Sequence, residues 1–469
     1  MARGTISPCM TTTRGRRSVP SAPNPPRPRP SPLRNLDPVW LFGLNVAVIT
    51  YMFVLHGGIT RATTGARWLV ALGQLSGLYA AVTVLLGLVM ISRTPWLERR
   101  YGMDRMTHAH RLVGFTAAWL MIVHVVAVMV GIALDDGIGL WDQIVDAWFN
   151  YQYMPQAVIG FSLLMLVAGV SIGALRRVLS YEQWWLVHVW AYLGVLLGFF
   201  HQIGVGADFV LDWWAFVYWT LLHVSVAILI FGFRLVTPWV LTLRHRFRVE
   251  EVIPEAADTV TLVVGGRRLE RLAVQPGQFF LIRVLDRRRF WKAHPFSLSA
   301  TPDGKSLRFT VRALGDDTTA LQTIAVGTRL SLEGPYGGFL AFLPTPRKIL
   351  FITGGIGITP FRSFIENWNH APGAVSLLYR NPTPGDALFR DELEEWSRRK
   401  GFDLHFSYSR LNGGDPNVFE PERLRQIIPD LTEREVFVIG SPRLLAAASN
   451  GLRVAGVPSR QIHYENFAY

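Results

Sequence analysis

Two uncharged apolar segments of the chain each carry a pair of histidines. His110 and His124 belong to the segment around residues 112–134, and His188 and His201 belong to a later one. An ionisable side chain within an apolar segment long enough to cross a membrane is costly and usually marks function. Neutral imidazole is a frequent metal ligand, so the four histidines predict metal ligation inside the bilayer.

The spacing within each pair predicts sites at two depths. His110 and His124 are fourteen residues apart, which turns an ideal helix by about 1400°, roughly 40° short of four full turns, and advances it by about 21 Å. These two rings therefore share one helix face. His188 and His201 are thirteen residues apart, which leaves their directions about 140° apart. Either this second helix departs from regularity near one of its glycines, or the two bound groups approach it from different sides.

Two imidazoles per metal ion suit a haem iron, because two axial ligands leave no open position and favour electron transfer. Zinc is less suitable, since the two segments contain no Cys, Asp or Glu to complete a tetrahedral site. The alternative is that the four are core histidines bonded to backbone or hydroxyl groups, but their matched depths favour haem. His56 and His223 have no such pairing, and we expect packing or hydrogen-bonding roles for them.

The elements that position these histidines are predicted to be membrane-spanning helices. Each apolar stretch holds 19 to 23 residues, close to the roughly 20 that cross about 30 Å of hydrocarbon. The sequence predicts six spans, at 38–56, 69–91, 112–134, 154–175, 183–203 and 213–233.

The basic residues orient this bundle. The N-terminal tail and the loops on its side of the membrane contain eighteen Lys or Arg, whereas the opposite loops contain only Arg61 and Arg67. This asymmetry predicts a multi-pass plasma-membrane protein with both termini in the cytoplasm. The net charge of +13 is therefore a membrane signature, and no nucleic-acid partner is expected. Residues 1–36, rich in proline and arginine, are predicted to be a disordered cytoplasmic tail.

Beyond residue 254 the pattern changes to short alternating runs separated by Gly, Pro and Asp, as in a small antiparallel barrel. The segment "HPFSLSA" at 294–300 combines a rigid backbone at Pro295, a flat face at Phe296 and the short hydroxyl of Ser297. A flavin needs a stacking surface and hydrogen bonds to its ring, which such a set supplies. Taken alone, the segment is also compatible with an edge strand.

The segment "RKILFITGGIGITPF" at 347–361 reads as an apolar strand, a glycine turn and a helix start. Glycines let the backbone approach a pyrophosphate, and a helix N-terminus supplies N–H donors. The turn is not a GxGxxG motif, because Pro360 replaces the last glycine. Its place between strand and helix in an alternating α/β region predicts nucleotide binding.

The histidine spacing resembles the haem-ligand pattern of the ferric reductase and NADPH oxidase superfamily, whose members are six-helix cytochromes b with two stacked haems. The resemblance implies that His110 with His188 holds the inner haem iron and that His124 with His201 holds the outer one.

The later motifs are similar to the FAD and nicotinamide-nucleotide modules of ferredoxin–NADP reductase-like proteins. "HPFSLSA", "VRALGDDTT" and "GPYGG" carry the flavin resemblance, and "GGIGITP" carries the nucleotide one. The resemblance assigns to the isoalloxazine ring His294, Pro295, Phe296 and Ser297. It assigns to the FAD pyrophosphate Arg312, Gly315 and Thr318. It assigns to the nicotinamide nucleotide Gly354, Gly355, Gly357, Thr359 and Pro360.

Two arginines decide the nucleotide prediction. Arg380 and Arg410 end two strand-like runs, and their guanidinium forks match phosphate geometry, so an adenosine 2′-phosphate and hence NADPH is expected. The alternative is that both are solvated surface arginines. Many members of the family carry Cys-Gly-Pro near the nicotinamide, whereas "VFVIGSPRLL" has no cysteine. The C-terminal "HYENFAY" resembles the aromatic that covers the flavin in this family, with Phe467 or Tyr469 in that place.

The predicted fold is multi-domain: a six-helix transmembrane bundle, a β-barrel FAD domain and an α/β Rossmann-like domain. The predicted boundaries are a tail at 1–36, the haem domain at 37–236, the FAD domain at 244–343 and the NAD(P)H domain at 346–469.

This order of parts predicts an NAD(P)H-dependent oxidoreductase. Electrons would pass from cytoplasmic NADPH through FAD and two b haems to an extracytoplasmic acceptor. Dioxygen and ferric chelates are both acceptors used by this architecture, and no obligatory protein partner is evident. Animal oxidases of the family carry a further histidine where this chain has Val128, so the acceptor stays open. The alternatives are a haem-free membrane-anchored flavin reductase serving a cytosolic partner, and a transporter with a regulatory reductase module.

Overall fold

A computed structural model describes residues 38–206, 212–287, 289–337, 348–367, 370–410, 415 and 417–466. The predicted tail at 1–36 and the C-terminal aromatics Phe467 and Tyr469 lie outside the described residues.

The N-terminal part, here called the membrane domain (38–245), is helical. Its helices are α1 (Pro38–Leu55), α2 (Gly65–Met90), α3 (Pro95–Tyr101), α4 (Met103–Asp136), α5 (Leu140–Asn150), α6 (Met154–Val170), α7 (Gly173–Arg176), α8 (Tyr181–His188), α9 (Trp190–Val205), α10 (Trp213–Phe231) and α11 (Thr237–His245). A π-helical turn, Gly232–Val236, joins α10 to α11.

The described residues contain four helical segments long and apolar enough to cross a membrane: Gly65–Met90, Arg105–Asp136, Tyr181–Val205 and Trp213–His245. The pair α5 and α6 bends by 111° and forms a fifth span if counted as one. The helix α1 is apolar but shorter. The membrane-spanning character of this region agrees with the sequence prediction, and the count of six spans stays a prediction.

Helices α2 and α4 pack tightly because glycines lie where their backbones approach. A Cβ atom on Gly73 would stand 2.6 Å from the Val128 side chain, and one on Gly131 would stand 2.7 Å from that of Val70. Small residues allow helices to come close in a bilayer, where packing replaces the hydrophobic effect as the source of association. Helix α4 of this close pair carries two of the four histidines predicted to bind metal, His110 and His124.

The central part, here called the β domain (248–336), consists of antiparallel strands. They are β1 (Arg248–Ala256), β2 (Thr259–Gly265), β3 (Phe279–Val284), β4 (His294–Ser297), β5 (Ser306–Arg312) and β6 (Leu330–Tyr336), with the short helix α12 (Asp316–Leu321). The strands form two sheets with the orders β1-β2-β5 and β4-β3-β6, around a core that includes Phe280 and Phe309. Closure of these sheets into a barrel stays a prediction.

The C-terminal part, here called the α/β domain (349–466), is built on a parallel sheet. Its elements are β7 (Ile349–Gly354), α13 (Ile358–Ile365), β8 (Val375–Asn381), α14 (Arg390–Lys400), β9 (Asp403–Tyr408), α15 (Pro421–Ile427), β10 (Glu435–Gly440), α16 (Pro442–Val454) and β11 (Ile462–Asn466). The strand order is β11-β10-β7-β8-β9, with apolar cores on both faces. The order reverses at β7, and such switch points form ligand crevices at the carboxyl ends of the strands.

Candidate functional site

The rings of His110 on α4 and His188 on α8 lie close together inside the membrane domain. Their centroids are 6.1 Å apart and their planes are inclined by 67°. A metal ion bonded at about 2 Å to one nitrogen of each ring would place the centroids roughly 6 Å apart. The pair therefore has the separation of two imidazoles that share one metal ion.

Helix α2 orients both histidines of α4. The Nδ1 atom of His110 lies 3.0 Å from the carbonyl oxygen of Gly87, and that of His124 lies 2.8 Å from the carbonyl oxygen of Gly73. Because a carbonyl only accepts, each Nδ1 carries the proton and donates, which leaves the Nε2 lone pair free to bind a metal. The two glycines are fourteen residues apart, as the two histidines are, and they pair in reverse order because α2 and α4 run antiparallel.

His188 has its own supports at the inner level. The ring of Trp184 packs against it with centroids 4.6 Å apart. The hydroxyl of Ser171 lies 3.4 Å from the Nδ1 atom of His188 and accepts the Trp184 indole N–H at 3.3 Å. This hydroxyl gives the Nδ1–H of His188 an acceptor, as the carbonyls of α2 do for the other two rings.

In the outer pair, His124 and His201, only His124 has a hydrogen bond to its Nδ1 atom among the described residues. His201 on α9 lies within electrostatic range of His124. Its Nδ1 atom is buried and has no hydrogen-bond partner among the residues that the structure describes. An unpaired buried nitrogen is costly, so this ring has bonding capacity for a group that the described part of the chain does not supply.

The segment that carries His188 and His201 has one irregular residue, and this residue is not one of its glycines. The helix is interrupted at Val189, directly after His188, where α8 ends and α9 begins. Val189 keeps right-handed helical dihedral angles (φ −67, ψ −20), so how the 140° mismatch of an ideal helix is resolved stays a prediction.

The two histidine pairs fit a haem better than a zinc ion. Within the described residues, no three His, Cys, Asp or Glu side chains converge on one point, as a closed zinc site needs. A porphyrin supplies the remaining iron ligands, so two imidazoles suffice. Arg234 lies within electrostatic range of both His110 and His188, where a guanidinium could pair with the carboxylates of a haem.

The strand β4 holds the residues predicted to contact a flavin. Antiparallel pairing with β3 opposes Phe280 to Phe296 and Leu281 to Pro295. Ser297 is buried, while the three residues before it are half-buried and so leave surface for a ligand. The Nε2 atom of His294 is 3.4 Å from Asp317, a carboxylate that also binds Lys292 at 3.0 Å.

The β domain also touches the helix of His188. Lys292 Nζ lies 3.2 Å from a carboxylate oxygen of Glu182 in the first turn of α8. The rings of Trp185 and Trp291 are 6.2 Å apart. The predicted flavin strand thus lies beside the helix that carries one inner histidine.

The residues predicted for the FAD pyrophosphate have local partners. Arg312 donates to a carboxylate oxygen of Asp258 at 2.7 Å, and this bond holds the pKa of that carboxyl below its usual range. The hydroxyl of Thr318 accepts the N–H groups of Leu314 and Gly315 at 2.9 and 3.0 Å. Arg312 lies 3.7 Å from where a Cβ on Gly355 would stand, so it faces the glycine turn of the α/β domain.

A cavity of about 740 Å³ opens at the carboxyl ends of the parallel strands. Gly354, Gly355 and Arg380, three of the predicted nucleotide contacts, line it. Gly355 has φ +56, a conformation that glycine adopts readily. Arg410 is exposed, and its neighbour Ser409 contributes to the lining instead.

The other predicted nucleotide residues, Gly357, Thr359 and Pro360, are not among those that line the cavity, and they pack on the interior side of the glycine turn. Thr359 and Pro360 are buried at the start of α13. A Cβ on Gly357 would stand 2.7 Å from the Thr353 hydroxyl and 2.9 Å from the Ile439 carbonyl oxygen. These residues therefore allow close packing between β7, β10 and α13.

Two further side chains at this cavity were not predicted. Arg443, in the first turn of α16, lines the cavity together with Phe419. Arg380 stacks over the Phe419 ring at 5.4 Å and donates to the Ser407 hydroxyl and the Asp415 carbonyl, each at 3.1 Å. The sequence signal for Arg443 was its position directly after "GSP", at the start of a helix that follows a buried strand.

Comparisons with known proteins divide the chain in the same order. Residues 76–199 match the family described as ferric reductase like transmembrane component. Residues 246–339 match an FAD-binding domain family, and residues 351–450 match the oxidoreductase NAD-binding domain family.

Similar proteins match the C-terminal half. A glycine betaine monooxygenase reductase subunit of Chromohalobacter salexigens is 28% identical over 48% of this chain and 64% of its own length. An NADPH oxidoreductase of Mycobacterium tuberculosis is 30% identical over 48% of this chain and 60% of its own length. The chain thus spans about 60% of the length of these curated relatives. The FAD/NAD-binding domain of a nitric oxide dioxygenase from Vibrio cholerae is 21% identical, with a TM-score of 0.42, over 47% of this chain and 98% of that one.

The two family matches in this half confirm the predicted FAD-binding domain and an NAD-binding domain of the oxidoreductase type. The helical segments and the first family match indicate a membrane protein. A ferric reductase like transmembrane component followed by FAD-binding and NAD-binding domains is the architecture of the ferric reductase and NADPH oxidase superfamily, and this chain has that architecture.

Proposed function

We propose that the protein transfers electrons from cytoplasmic NADPH, through FAD and two stacked haems b, to an acceptor on the other side of the membrane. The observation that carries this proposal is the facing pair His110 and His188, whose 6.1 Å separation suits a shared iron. When bound, FAD would supply the exchange of an electron pair for single electrons, and each haem would carry one electron at a time. The protein holds, orients and insulates them.

In this proposal, His110 and His188 hold the inner haem iron, and His124 and His201 hold the outer one. The carbonyls of α2 keep the Nδ1 proton of His110 and His124 in place, so that each Nε2 atom stays available. Arg234 neutralises negative charge at the inner site. The apolar helices keep water away from both.

On the cytoplasmic side, β4 presents the flavin surface through Pro295 and Phe296, with hydroxyl and imidazole groups from Ser297 and His294. Arg312, Gly315 and Thr318 take the FAD pyrophosphate once Arg312 exchanges Asp258 for phosphate. The glycine turn of β7 takes the pyrophosphate of the nicotinamide nucleotide. A flavin-covering aromatic is assigned to Phe467 or Tyr469.

The preference for NADPH is proposed from the arginines at the nucleotide cavity. Arg443 and Arg380 line it, and Arg410 follows the lining residue Ser409. A guanidinium binds a 2′-phosphate through charge-assisted hydrogen bonds. Arg380 already has several partners, so Arg443 is the stronger candidate for this phosphate.

We place both termini in the cytoplasm of a cell whose plasma membrane the bundle crosses, as the distribution of basic residues favours. Moving one electron outward across a membrane that is 100 mV negative inside is favourable by about 2.3 kcal/mol. The proposed direction is therefore assisted by the membrane potential.

The candidate acceptors are dioxygen and ferric chelates. Val128 packs against α2 beside Gly73, so this position offers an apolar contact where animal oxidases of the family have a histidine. The acceptor is decided by measuring superoxide and ferrous iron under NADPH with one acceptor at a time.

A reduced-minus-oxidised absorption spectrum of the purified protein tests the proposal. Two haems b per chain, reduced by NADPH without oxygen, support it. A haem-free spectrum favours the anchored flavin reductase or the transporter with a reductase module.

A further inference from the structure

Two carboxylates are buried where the membrane domain meets the β domain. Glu98 of α3 is 2% exposed, and Glu333 of β6 is 0% exposed. A buried carboxylate is costly unless several donors bind it, so two of them at a domain boundary indicate a specific interface. Strand β6 is the outer strand of the β4-β3-β6 sheet, and α3 and α11 pack against it.

Glu333 joins the two domains. Its Oε1 atom accepts hydrogen bonds from the guanidinium of Arg93, which lies between α2 and α3, and from the hydroxyl of Tyr336 at 2.9 Å. Its Oε2 atom accepts a hydrogen bond from Arg283 of β3 at 3.1 Å. One buried carboxylate therefore has a partner in the membrane domain and two partners in its own domain.

Two further bonds hold β6 and the residue after it to the membrane domain. The N–H of Gly337 donates to a carboxylate oxygen of Glu98 at 2.9 Å. The hydroxyls of Thr242 on α11 and Ser331 on β6 are 2.7 Å apart. The contacts at Ser331, Glu333 and Gly337 are spread along the strand and the residue after it, so they restrain the direction of the strand as well as its distance.

The same elements lead to the proposed cofactor sites. The segment that carries Arg93 continues through α3 into α4, where His110 lies. Strand β6 pairs with β3, and β3 pairs with β4, the strand proposed to hold the flavin. Together with the Lys292–Glu182 contact, the contact between Arg93 and Glu333 therefore helps to fix how far the flavin strand stands from the inner histidine pair. Transfer between two bound groups depends steeply on their geometry, so a small displacement lowers its rate.

We propose that Arg93 is a positioning residue for electron transfer from the flavin to the inner haem, because its bond to Glu333 seats the β domain on the membrane domain. This inference rests on the proposed function, since it requires a flavin and an inner haem.

The test compares Arg93→Gln with Arg283→Gln in the full chain loaded with FAD and haem. Each change removes one guanidinium from Glu333, but only Arg93 belongs to the membrane domain. Stopped-flow absorption without oxygen follows haem reduction by NADPH, and ferricyanide reduction follows the NADPH-to-flavin half. We expect Arg93→Gln to slow haem reduction about tenfold or more with ferricyanide reduction unchanged, and Arg283→Gln to slow it less than about threefold. Arg93→Lys keeps the charge and a donor, and it should recover most of the rate.

Hydrogen exchange of the β6 peptide is a second readout that needs no haem. It should be faster in Arg93→Gln than in the wild type or in Arg283→Gln. If the wild type does not reduce haem, the proposed function fails while exchange still reports on the seating of β6. Wild-type haem reduction in Arg93→Gln, equal slowing by both variants, or unchanged β6 exchange would overturn the inference.

Discussion

The imidazoles of His110 and His188 stand 6.1 Å apart although they lie on different helices and far apart in the chain. Each has a different support on its Nδ1 side: a backbone carbonyl of α2 for His110 and the Ser171 hydroxyl for His188. Two rings held from behind leave their Nε2 atoms free for the space between them. This relationship is the structural basis for placing an iron at the inner level.

Replacing His188 by alanine should remove the inner haem, because one axial imidazole cannot hold the iron as two do. We expect the haem content to fall from two to one per chain, while NADPH still reduces the flavin. A pyridine haemochrome assay and flavin bleaching measure the two quantities. His223→Ala is the matched control, since that ring bonds the Trp219 carbonyl of its own helix at 2.9 Å. Full haem content in His188→Ala would contradict the assignment.

Gly77→Ala should damage the outer site and spare the inner one. The added Cβ atom would stand 2.5 Å from the Nδ1 atom of His124, so the ring must move and lose its bond to Gly73. We expect loss of one haem with the His110–His188 site still occupied, measured from the reduced spectrum and haem content. Gly169→Ala is the control, because no atom lies within 4 Å of its added Cβ. Equal behaviour of the two variants would argue against a tight outer site.

Arg443→Ala should weaken binding of NADPH more than that of NADH. A charge-assisted hydrogen bond contributes about 1.5–3 kcal/mol, so the KM for NADPH should rise roughly tenfold to a hundredfold with kcat unchanged. Steady-state ferricyanide reduction with each nucleotide measures this. Arg453→Ala, an exposed arginine on the same helix, is the control. An equal rise for both nucleotides would place Arg443 at a phosphate common to them.

Glu98 should make stability fall as pH rises. Burial raises the pKa of this carboxyl from 4.5 to about 7, against the lowering effects of the Gly337 N–H and of Arg99. Tyr336 also faces this carboxyl. It stays protonated in this range because burial raises the pKa of its hydroxyl above the usual value. Since the folded state holds the proton more tightly, the free energy of unfolding falls by on the order of 3 kcal/mol as pH rises from about 4.5 through 7.

Glu98→Gln removes this dependence and keeps an oxygen that accepts the Gly337 N–H. We expect the Tm of the variant to match that of the wild type near pH 5 and to exceed it by a few degrees at pH 8. Thermal unfolding followed by tryptophan fluorescence at each pH measures the difference. A difference between the two proteins that does not change with pH would show that Glu98 does not titrate in this window.

The sequence by itself determined the order of the parts and the local elements. Uncharged runs of about 20 residues must form helices in a bilayer, because every backbone polar group there needs an internal partner. The spacing of His110 and His124 places them on one face because helix geometry is regular. The glycine turn before α13 can also be predicted from the sequence, because its conformation depends on residues that are neighbours in the chain.

Only the tertiary structure decided which residues support the site. The Gly73 and Gly87 carbonyls orient the histidines of α4, yet a glycine inside an apolar helix shows in sequence no sign of such a role. Arg93 and Glu333 are 240 positions apart, and nothing local to either predicts their contact. Periodicity encodes which face of an element is apolar. The partner of a buried charge is decided by how whole elements pack. A desolvated carboxylate is stable only beside hydrogen-bond donors, and the fold brings those donors to it from distant parts of the chain.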